Sequence, residues 1–162
     1  MAVSHQNVIF KVGKEEFAID ILLTKEIVVM CDITPVPETE EYVEGVMNLR
    51  GNLVPVLDLR KRLRADETIS HAEQRIIISN FDNRLVGLIV DGASEVIRVS
   101  EDMIEPAPDV ISEMGVEYIS GIVRYQDRFI TLIDLNMVLS DEALVGLGEV
   151  MKVLEGRKEA AA

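Results

Sequence analysis

The sequence is poor in aromatic residues. It contains no Trp, three Tyr and four Phe among 162 residues, although 48% of its residues are hydrophobic. Its core must therefore be built from Val, Ile, Leu and Met. Because β-branched residues are enriched in strands, runs such as RIIIS and LVGLIVDG favour a mainly β fold.

Positive charge is also scarce. The 16 Lys and Arg residues are outnumbered by 29 Asp and Glu residues, which gives a formal charge of -13. An acidic surface repels phosphate backbones and anionic lipid, so we expect no nucleic-acid partner and no direct membrane insertion. A small-barrel nucleic-acid-binding protein is the alternative function, and this charge disfavours it.

Cysteines and long apolar runs are nearly absent as well. Cys31 is the only cysteine, which excludes an internal disulfide and fits a reducing compartment. The N-terminal MAVSHQN has no apolar signal core, and no stretch approaches about 20 consecutive apolar residues. We therefore expect a cytoplasmic protein.

Residues suited to catalysis are few. His5 and His71 have no candidate nucleophile beside them and do not lie within metal-ligand spacing of Cys31. No P-loop, dinucleotide fingerprint or G-x-S-x-G motif is present. The sequence predicts no catalytic residue, no metal site and no cofactor.

Short alternating or apolar segments predict about ten strands. Two pairs of them read as hairpins, with polar turns at residues 13–16 and 82–84. Pro55 falls within a strand pattern, and because proline cannot donate to a ladder we expect that strand at a sheet edge.

Three segments read as helical. Asp58 and Asp134 each follow a strand and precede a short helical turn, so we interpret them as two N-caps, and a catalytic carboxylate pair is the alternative. A C-terminal helix is predicted over residues 141–155, followed by a frayed tail at 156–162.

The chain contains an internal duplication. A shift of 69 residues lays Glu26 over Glu95, and a shift of 76 lays Gly45 over Gly121 and Asp58 over Asp134. Chance alignment of β-rich segments is the alternative. Duplication predicts one domain at 8–140, made of pseudo-repeated halves at about 8–72 and 73–140. Each half suits a small barrel, with a groove between the two.

Basic residues occur at two places in the stretch that directly follows Gly45. Arg50 stands at an Arg-Gly-Asn turn between apolar strands, where its guanidinium could pair bidentately with a carboxylate or could simply be exposed. Gly51 fits a positive φ in that turn. Residues 60–62 together with Arg64 form a basic cluster, which we interpret as a solvated face of a helical turn.

The stretch GVMNLRGNLVPVLDLR resembles the signature of CheW, the coupling-protein family of bacterial chemotaxis. The resemblance runs from about Val8 to Leu139. The other matching segments, in family order, are Phe17 to Ile27, Leu85 to Val96, Ile104 to Pro108 and Tyr118 to Val123.

This resemblance implies a fold and a function. The fold is two small five-stranded Src-homology-like barrels packed together, with short helical turns and strands that can exchange between halves. The function is an adaptor that couples the cytoplasmic tip of methyl-accepting chemoreceptors to the regulatory domain of the histidine kinase CheA. We accordingly expect a non-enzymatic protein in receptor arrays beneath the inner membrane, with weak self-association through exposed barrel edges.

The resemblance also implies a kinase interface. Arg50 falls on the arginine of the family's N-L-R-G motif, and Glu26 falls on a glutamate that pairs with it. Gly51 and Gly45 match the turn and strand glycines beside them.

A receptor interface is implied in the same way. Gly87 and Val96 fall where receptor coupling is affected in the family, and Ala93 is assigned to the same interface. Ala93 and Thr24 depart from the family pattern, because each is smaller or more polar than the expected valine.

Overall fold

A computed structural model describes residues 4–37, 42–63, 73–81, 83–106 and 118–138. Within these ranges the chain forms eleven strands and two short α-helices, so the predicted mainly β fold is confirmed. The elements are β1 (Ser4–Val12), β2 (Glu15–Asp20), β3 (Thr24–Val29), β4 (Val43–Leu49), β5 (Asn52–Asp58), α1 (Leu59–Arg62), β6 (Arg75–Phe81), β7 (Arg84–Val90), β8 (Gly92–Ser100), β9 (Ile104–Glu105), β10 (Ile119–Tyr125), β11 (Arg128–Ile133) and α2 (Leu135–Val138).

The strands lie in two sheets that each curl on themselves. The first barrel has the strand order β3-β6-β7-β5-β4, and the second barrel has the order β8-β1-β2-β11-β10-β9. The two edge strands of each sheet contribute to one apolar cluster: Val28 of β3 and Met47 of β4 belong to the first, and Ile97 of β8 and Ile104 of β9 belong to the second. Each barrel therefore has its own interior. The short strand β9 is an addition to the predicted strands.

The second barrel combines strands from the two ends of the described chain, whereas the strands of the first barrel all lie between residues 24 and 90. The β1–β2 hairpin joins β8 to β11, and the β6–β7 hairpin joins β3 to β5. Each hairpin joins its sheet through one parallel pairing: β2 pairs with β11, and β7 pairs with β5. The chain consequently crosses between the barrels twice, at the β2–β3 and β7–β8 connections.

A third apolar cluster lies between the two barrels. Successive side chains of a strand point to opposite faces, so β1 sends Val8, Phe10 and Val12 into this shared core and Ile9 into the second barrel. The strand β7 divides its side chains in the same way between the shared core and the first barrel. Burial on both faces explains why these strands read as continuous apolar runs.

The two predicted helix caps are confirmed. The Oδ1 atom of Asp58 accepts a hydrogen bond from the Arg60 backbone N–H at 2.9 Å, and Oδ1 of Asp134 accepts one from the Asn136 N–H at 2.9 Å. Both aspartates thus satisfy a donor in the first turn of a short helix.

The glycines aligned by the duplication occupy equivalent bulges. Gly45 in β4 and Gly121 in β10 each follow a shift in register against the next strand. A Cβ on Gly45 would lie 1.9 Å from the carbonyl oxygen of Thr34, and one on Gly121 would lie 3.0 Å from that of Glu105. Close backbone approach therefore requires glycine at both places.

The edge position predicted for Pro55 is wrong. The strand β5 lies between β4 and β7, and Pro55 is paired with Val46 of β4. Parallel pairing with β7 begins only at Val56, opposite Gly87. Proline is tolerated in this inner strand because it precedes the ladder on the β7 side.

Several predictions fall on residues that are not described. The C-terminal helix at 141–155, the tail at 156–162 and the boundary between the halves near residue 72 lie outside the described ranges. Among the helices that are described, none is long and apolar enough to cross a membrane.

Candidate functional site

Arg50 and Glu26 form an ion pair at one end of the first barrel. The Arg50 Nη2 atom lies 2.9 Å from Oε1 and 3.0 Å from Oε2 of Glu26. Glu26 shares a face of β3 with Val28, whose side chain packs inside this barrel. The Arg50 side chain is 66% exposed, whereas that of Glu26 is 29% exposed. We call this pair the first mouth; its guanidinium remains largely exposed to solvent.

The turn between β4 and β5 sets the position of Arg50. Arg50 has φ 51° and Gly51 has φ 90°, so both central residues are left-handed, as in the type I′ turns that suit two-residue hairpins. No atom lies within 4 Å of where a Gly51 Cβ would be, so glycine is needed there for its backbone conformation and not for space.

Arg128 forms a denser cluster at the second barrel. It makes two hydrogen bonds to Glu95, from Nη1 at 3.0 Å and from Nη2 at 2.9 Å, and its Nε and Nη2 atoms also bond to Glu16. The guanidinium lies over the Tyr125 ring, 5.8 Å from its centroid. We call Glu16, Glu95 and Arg128 the second mouth.

Electrostatics distinguish the second mouth. Hydrogen bonds to Glu95 and then to Glu16 raise the pKa of Arg128, and the hydrogen bonds from Arg128 lower the pKa of Glu95. Two carboxylates surround Arg128, its side chain is only 31% exposed, and four hydrogen bonds to them use most of the five N–H donors of its guanidinium.

Each mouth has a glutamate at an aligned position, but the two arginines come from positions that do not align. Glu26 and Glu95 are the pair aligned by the shift of 69 residues, and each accepts bonds from an arginine at its barrel. The shift of 76 places Gln126 opposite Arg50, so Arg128 comes from a different position of its hairpin. The duplication aligns the two carboxylates and gives no signal for Arg128.

Gly45 and Gly51 shape the region of Arg50 without presenting a side chain. Gly45 is buried in β4 with φ 143°, against the Thr34 carbonyl. Gly51 is exposed at the turn itself. Of the four residues assigned to the kinase interface, Glu26 and Arg50 are therefore the two that can contact a partner through side chains.

The residues assigned to the receptor interface do not form one surface. Gly87 is buried in the first barrel, where an added Cβ would lie 2.9 Å from Cγ2 of Ile76. Val96 lies on the outer face of β8 and is 51% exposed. Ala93, near the start of β8, is half-buried against the shared core. Gly87 can influence a partner only through the packing of its barrel.

An ion cluster at the β7–β8 crossing was not predicted. The Arg60 Nε and Nη2 atoms donate to Asp58 at 3.0 and 2.9 Å, and Nη1 lies 3.6 Å from Oδ1 of Asp91. The other carboxylate oxygen of Asp91 accepts from the Gly13 N–H at 2.7 Å. Both aspartates are buried. The cluster therefore joins α1 of the first barrel to the β1–β2 turn of the second.

The solvated face proposed for the basic cluster is wrong for Arg60. Its side chain is 17% exposed, because the Asp58 cap draws it inward, and its hydrogen bonds to Asp58 raise its pKa. Lys61 does lie at the surface, 2.5 Å from a carboxylate oxygen of Glu44. In the sequence, only the Asp-Leu-Arg order around the cap could have indicated that Arg60 turns inward while Lys61 stays at the surface.

Cys31 lies exposed in the segment after β3. Although the residue is exposed, partial desolvation of its thiol, followed by the charge of Asp32, raises the pKa of Cys31, which disfavours the nucleophilic thiolate. Among the residues that the structure describes, no three His, Cys, Asp or Glu side chains are grouped so that they could hold a metal ion.

The whole arrangement matches one known family. The model of the CheW family, described as the CheW-like domain, matches residues 6–143. The chain belongs to the CheW-like family. The family resemblance seen in the N-L-R-G motif is thereby confirmed.

Individual CheW relatives match over most of their length. The chemotaxis protein CheW of Klebsiella aerogenes is 36% identical over 151 residues, which cover 93% of this chain and 90% of the relative. The chemotaxis protein CheW of Bacillus subtilis strain 168 is 41% identical over 136 residues, covering 84% and 87%.

A solved CheW structure has the same fold. The scaffolding protein TtCheW from Thermoanaerobacter tengcongensis superposes with a TM-score of 0.78 at 34% identity, covering 87% of this chain and 96% of that one. The chain is thus a chemotaxis adaptor of the CheW-like family, and the alternative of a nucleic-acid-binding barrel is not supported.

Proposed function

We propose that this protein joins the cytoplasmic tip of methyl-accepting chemoreceptors to the regulatory domain of the histidine kinase CheA. It acts without catalysis, metal or cofactor, in receptor arrays beneath the inner membrane. The observation that carries the kinase side of the proposal is the first mouth, where a solvent-facing guanidinium is held by one carboxylate in a defined geometry.

Physical chemistry supports the first mouth as a recognition element. A guanidinium presents donors in a fixed planar fork, and Glu26 occupies only part of that fork. A partner carboxylate can therefore bind the remaining donors without first breaking the internal pair. Exposed charge pairs of this kind fix orientation and partner choice more than they add affinity.

The receptor side of the proposal rests on β8. Val96 exposes an apolar side chain on the outer face of this strand, beside the shared core. Ala93 contributes at the start of β8, and Gly87 acts indirectly through the packing of the first barrel. Weak self-association through barrel edges is part of the same proposal.

Charge reversal at Arg50 tests the kinase side. We expect R50E to weaken binding to the CheA regulatory domain by roughly tenfold or more, because it places two carboxylates together at the contact. Isothermal titration calorimetry measures the affinity, and thermal unfolding checks that the fold is intact.

The matched control is R98E, which reverses an exposed arginine on β8 of the other barrel. It should bind the kinase domain within about twofold of wild type. Equal affinities of R50E and wild type would remove the first mouth from the kinase interface.

A further inference from the structure

Arg50 occupies a backbone conformation that side-chain-bearing residues seldom adopt. Its φ of 51° is left-handed, which costs a non-glycine residue free energy unless the surroundings hold it. Because the side chain projects from a turn and contacts Glu26 with only its guanidinium tip, the backbone of the turn decides where that tip lies.

A side chain from the preceding strand bonds to this turn. The Oδ1 atom of Asn48, the penultimate residue of β4, accepts a hydrogen bond from the Gly51 N–H at 2.7 Å. The bond ties the second turn residue back to the strand that precedes the turn. It thereby restrains Arg50, which lies between the two bonded residues.

The hairpin of the second barrel makes the same kind of turn differently. Gln126 and Asp127 are both left-handed there, with φ 45° and 62°. The shift of 76 places Arg124 where β4 has Asn48, and an arginine side chain has no acceptor. A left-handed two-residue turn therefore forms in this protein without an asparagine bond.

We propose that Asn48 is a positioning residue for partner recognition. Its side-chain oxygen fixes the turn so that the Arg50 guanidinium stands over Glu26 with its remaining donors directed outward. This inference rests on the proposed function in one respect, the identity of the partner that Arg50 meets. Its structural part concerns the unbound protein alone.

The test compares three full-length variants in calorimetry with the CheA regulatory domain. N48A loses the acceptor, and we expect its affinity to fall roughly three- to tenfold, the effect of one lost hydrogen bond. N48D keeps an acceptor oxygen at the same place, so Gly51 amide exchange should stay as slow as in wild type, and its affinity should fall less than that of N48A despite the added charge. N52A alters the asparagine on the other side of the turn and should also bind like wild type.

A double-mutant cycle decides whether Asn48 acts through Arg50. If it does, N48A has no further effect on affinity once R50A is present. The proposal is overturned if N48A weakens binding equally in both backgrounds, or if N52A weakens it as much as N48A does.

Measurements on the free protein separate this inference from the proposed function. In N48A, amide exchange of Gly51 should be several-fold faster, and the Arg50 Nε–Hε signal should show the greater mobility of an unheld side chain, by NMR. If wild type fails to bind the kinase domain, the proposed partner is wrong. The Gly51 exchange rate and the Arg50 signal would still show whether Asn48 positions Arg50. Unchanged Gly51 exchange and unchanged Arg50 mobility in N48A would overturn it.

Discussion

Both barrel mouths pair an arginine with glutamate, but the surroundings of the two arginines differ. At the first mouth, Arg50 has one carboxylate and is mostly exposed, on a turn held by a neighbouring side chain. At the second, Arg128 is shared by two carboxylates and lies over an aromatic ring. The two mouths thus have glutamates at aligned positions and arginines at different positions of their hairpins.

We infer that this difference makes the two mouths unequal in their capacity to bind a partner. An arginine with four of its five N–H donors bonded to carboxylates has little left to offer a partner, and its removal costs stability. An arginine with one exposed acceptor contributes little to stability, and its donors stay available. We infer that Arg128 serves the fold and Arg50 serves recognition.

The crossings between the barrels differ in a similar way. Asp91 lies at the β7–β8 crossing and is buried with Arg60, whereas the shift of 69 places the exposed Leu22 at the β2–β3 crossing. One crossing is therefore held by an ion cluster, and its counterpart has an apolar side chain at the equivalent position.

Removal of Arg60 has the largest expected effect. R60M would leave Asp58 and Asp91 buried without their cation, and we expect a loss of about 3–5 kcal/mol in the free energy of unfolding. Urea denaturation measures it. R60K, which keeps the charge but not the bidentate geometry, should lose less. A loss below about 1 kcal/mol for R60M would show that the cluster does not hold this crossing.

The bulge glycines give the next largest effect. G45A forces a Cβ onto the Thr34 carbonyl at a positive φ, so we expect it to lose about 2–4 kcal/mol in the free energy of unfolding. G121A meets a methyl group of Ile104 at 2.8 Å without that φ and should lose about 1–2 kcal/mol. Thermal and urea unfolding of both variants check the order. Equal losses would mean that the two bulges are under the same constraint.

Sequence patterns predicted the features that depend on residues close together in the chain, namely the hairpins and the helix caps. Strand alternation located both hairpins, and the Asp58 and Asp134 caps followed from their position between strand and turn. These features depend on neighbours close in the chain, which a sequence displays directly. The alignment of Glu26 with Glu95 paired the glutamates of the two mouths, although no site was predicted at Glu95.

Contacts between distant segments could not be predicted in this way. Arg128 meets Glu16 across 112 residues, and Gly13 meets Asp91 across 78. No local pattern records such pairs, because they form only when the β1–β2 hairpin packs between β8 and β11, which lie far along the chain. Pro55 was misplaced for the same reason, since its tolerance in an inner strand depends on where pairing with β7 begins.

The smallest expected effect tests the comparison of the mouths most directly. R128A should lose about 1–2 kcal/mol in the free energy of unfolding at neutral pH, because it removes charged hydrogen bonds to two carboxylates. R50A should lose less than about 1 kcal/mol, as exposed pairs do. Urea denaturation of both variants measures the difference, and equal losses would contradict the division of roles between the two arginines.

Acidification sharpens the same measurement. Arg128 lowers the pKa of Glu95 in the folded protein, so the stability that this carboxylate contributes is present above its ordinary pKa of about 4.3 and is lost as pH falls through the lowered value. In R128A the pKa of Glu95 is no longer lowered by Arg128. The stability difference between wild type and R128A should therefore shrink as the pH is lowered from about 6 to about 3.5. A difference that stays constant over this range would mean that Arg128 stabilises the second barrel by packing on Tyr125 and not through Glu95.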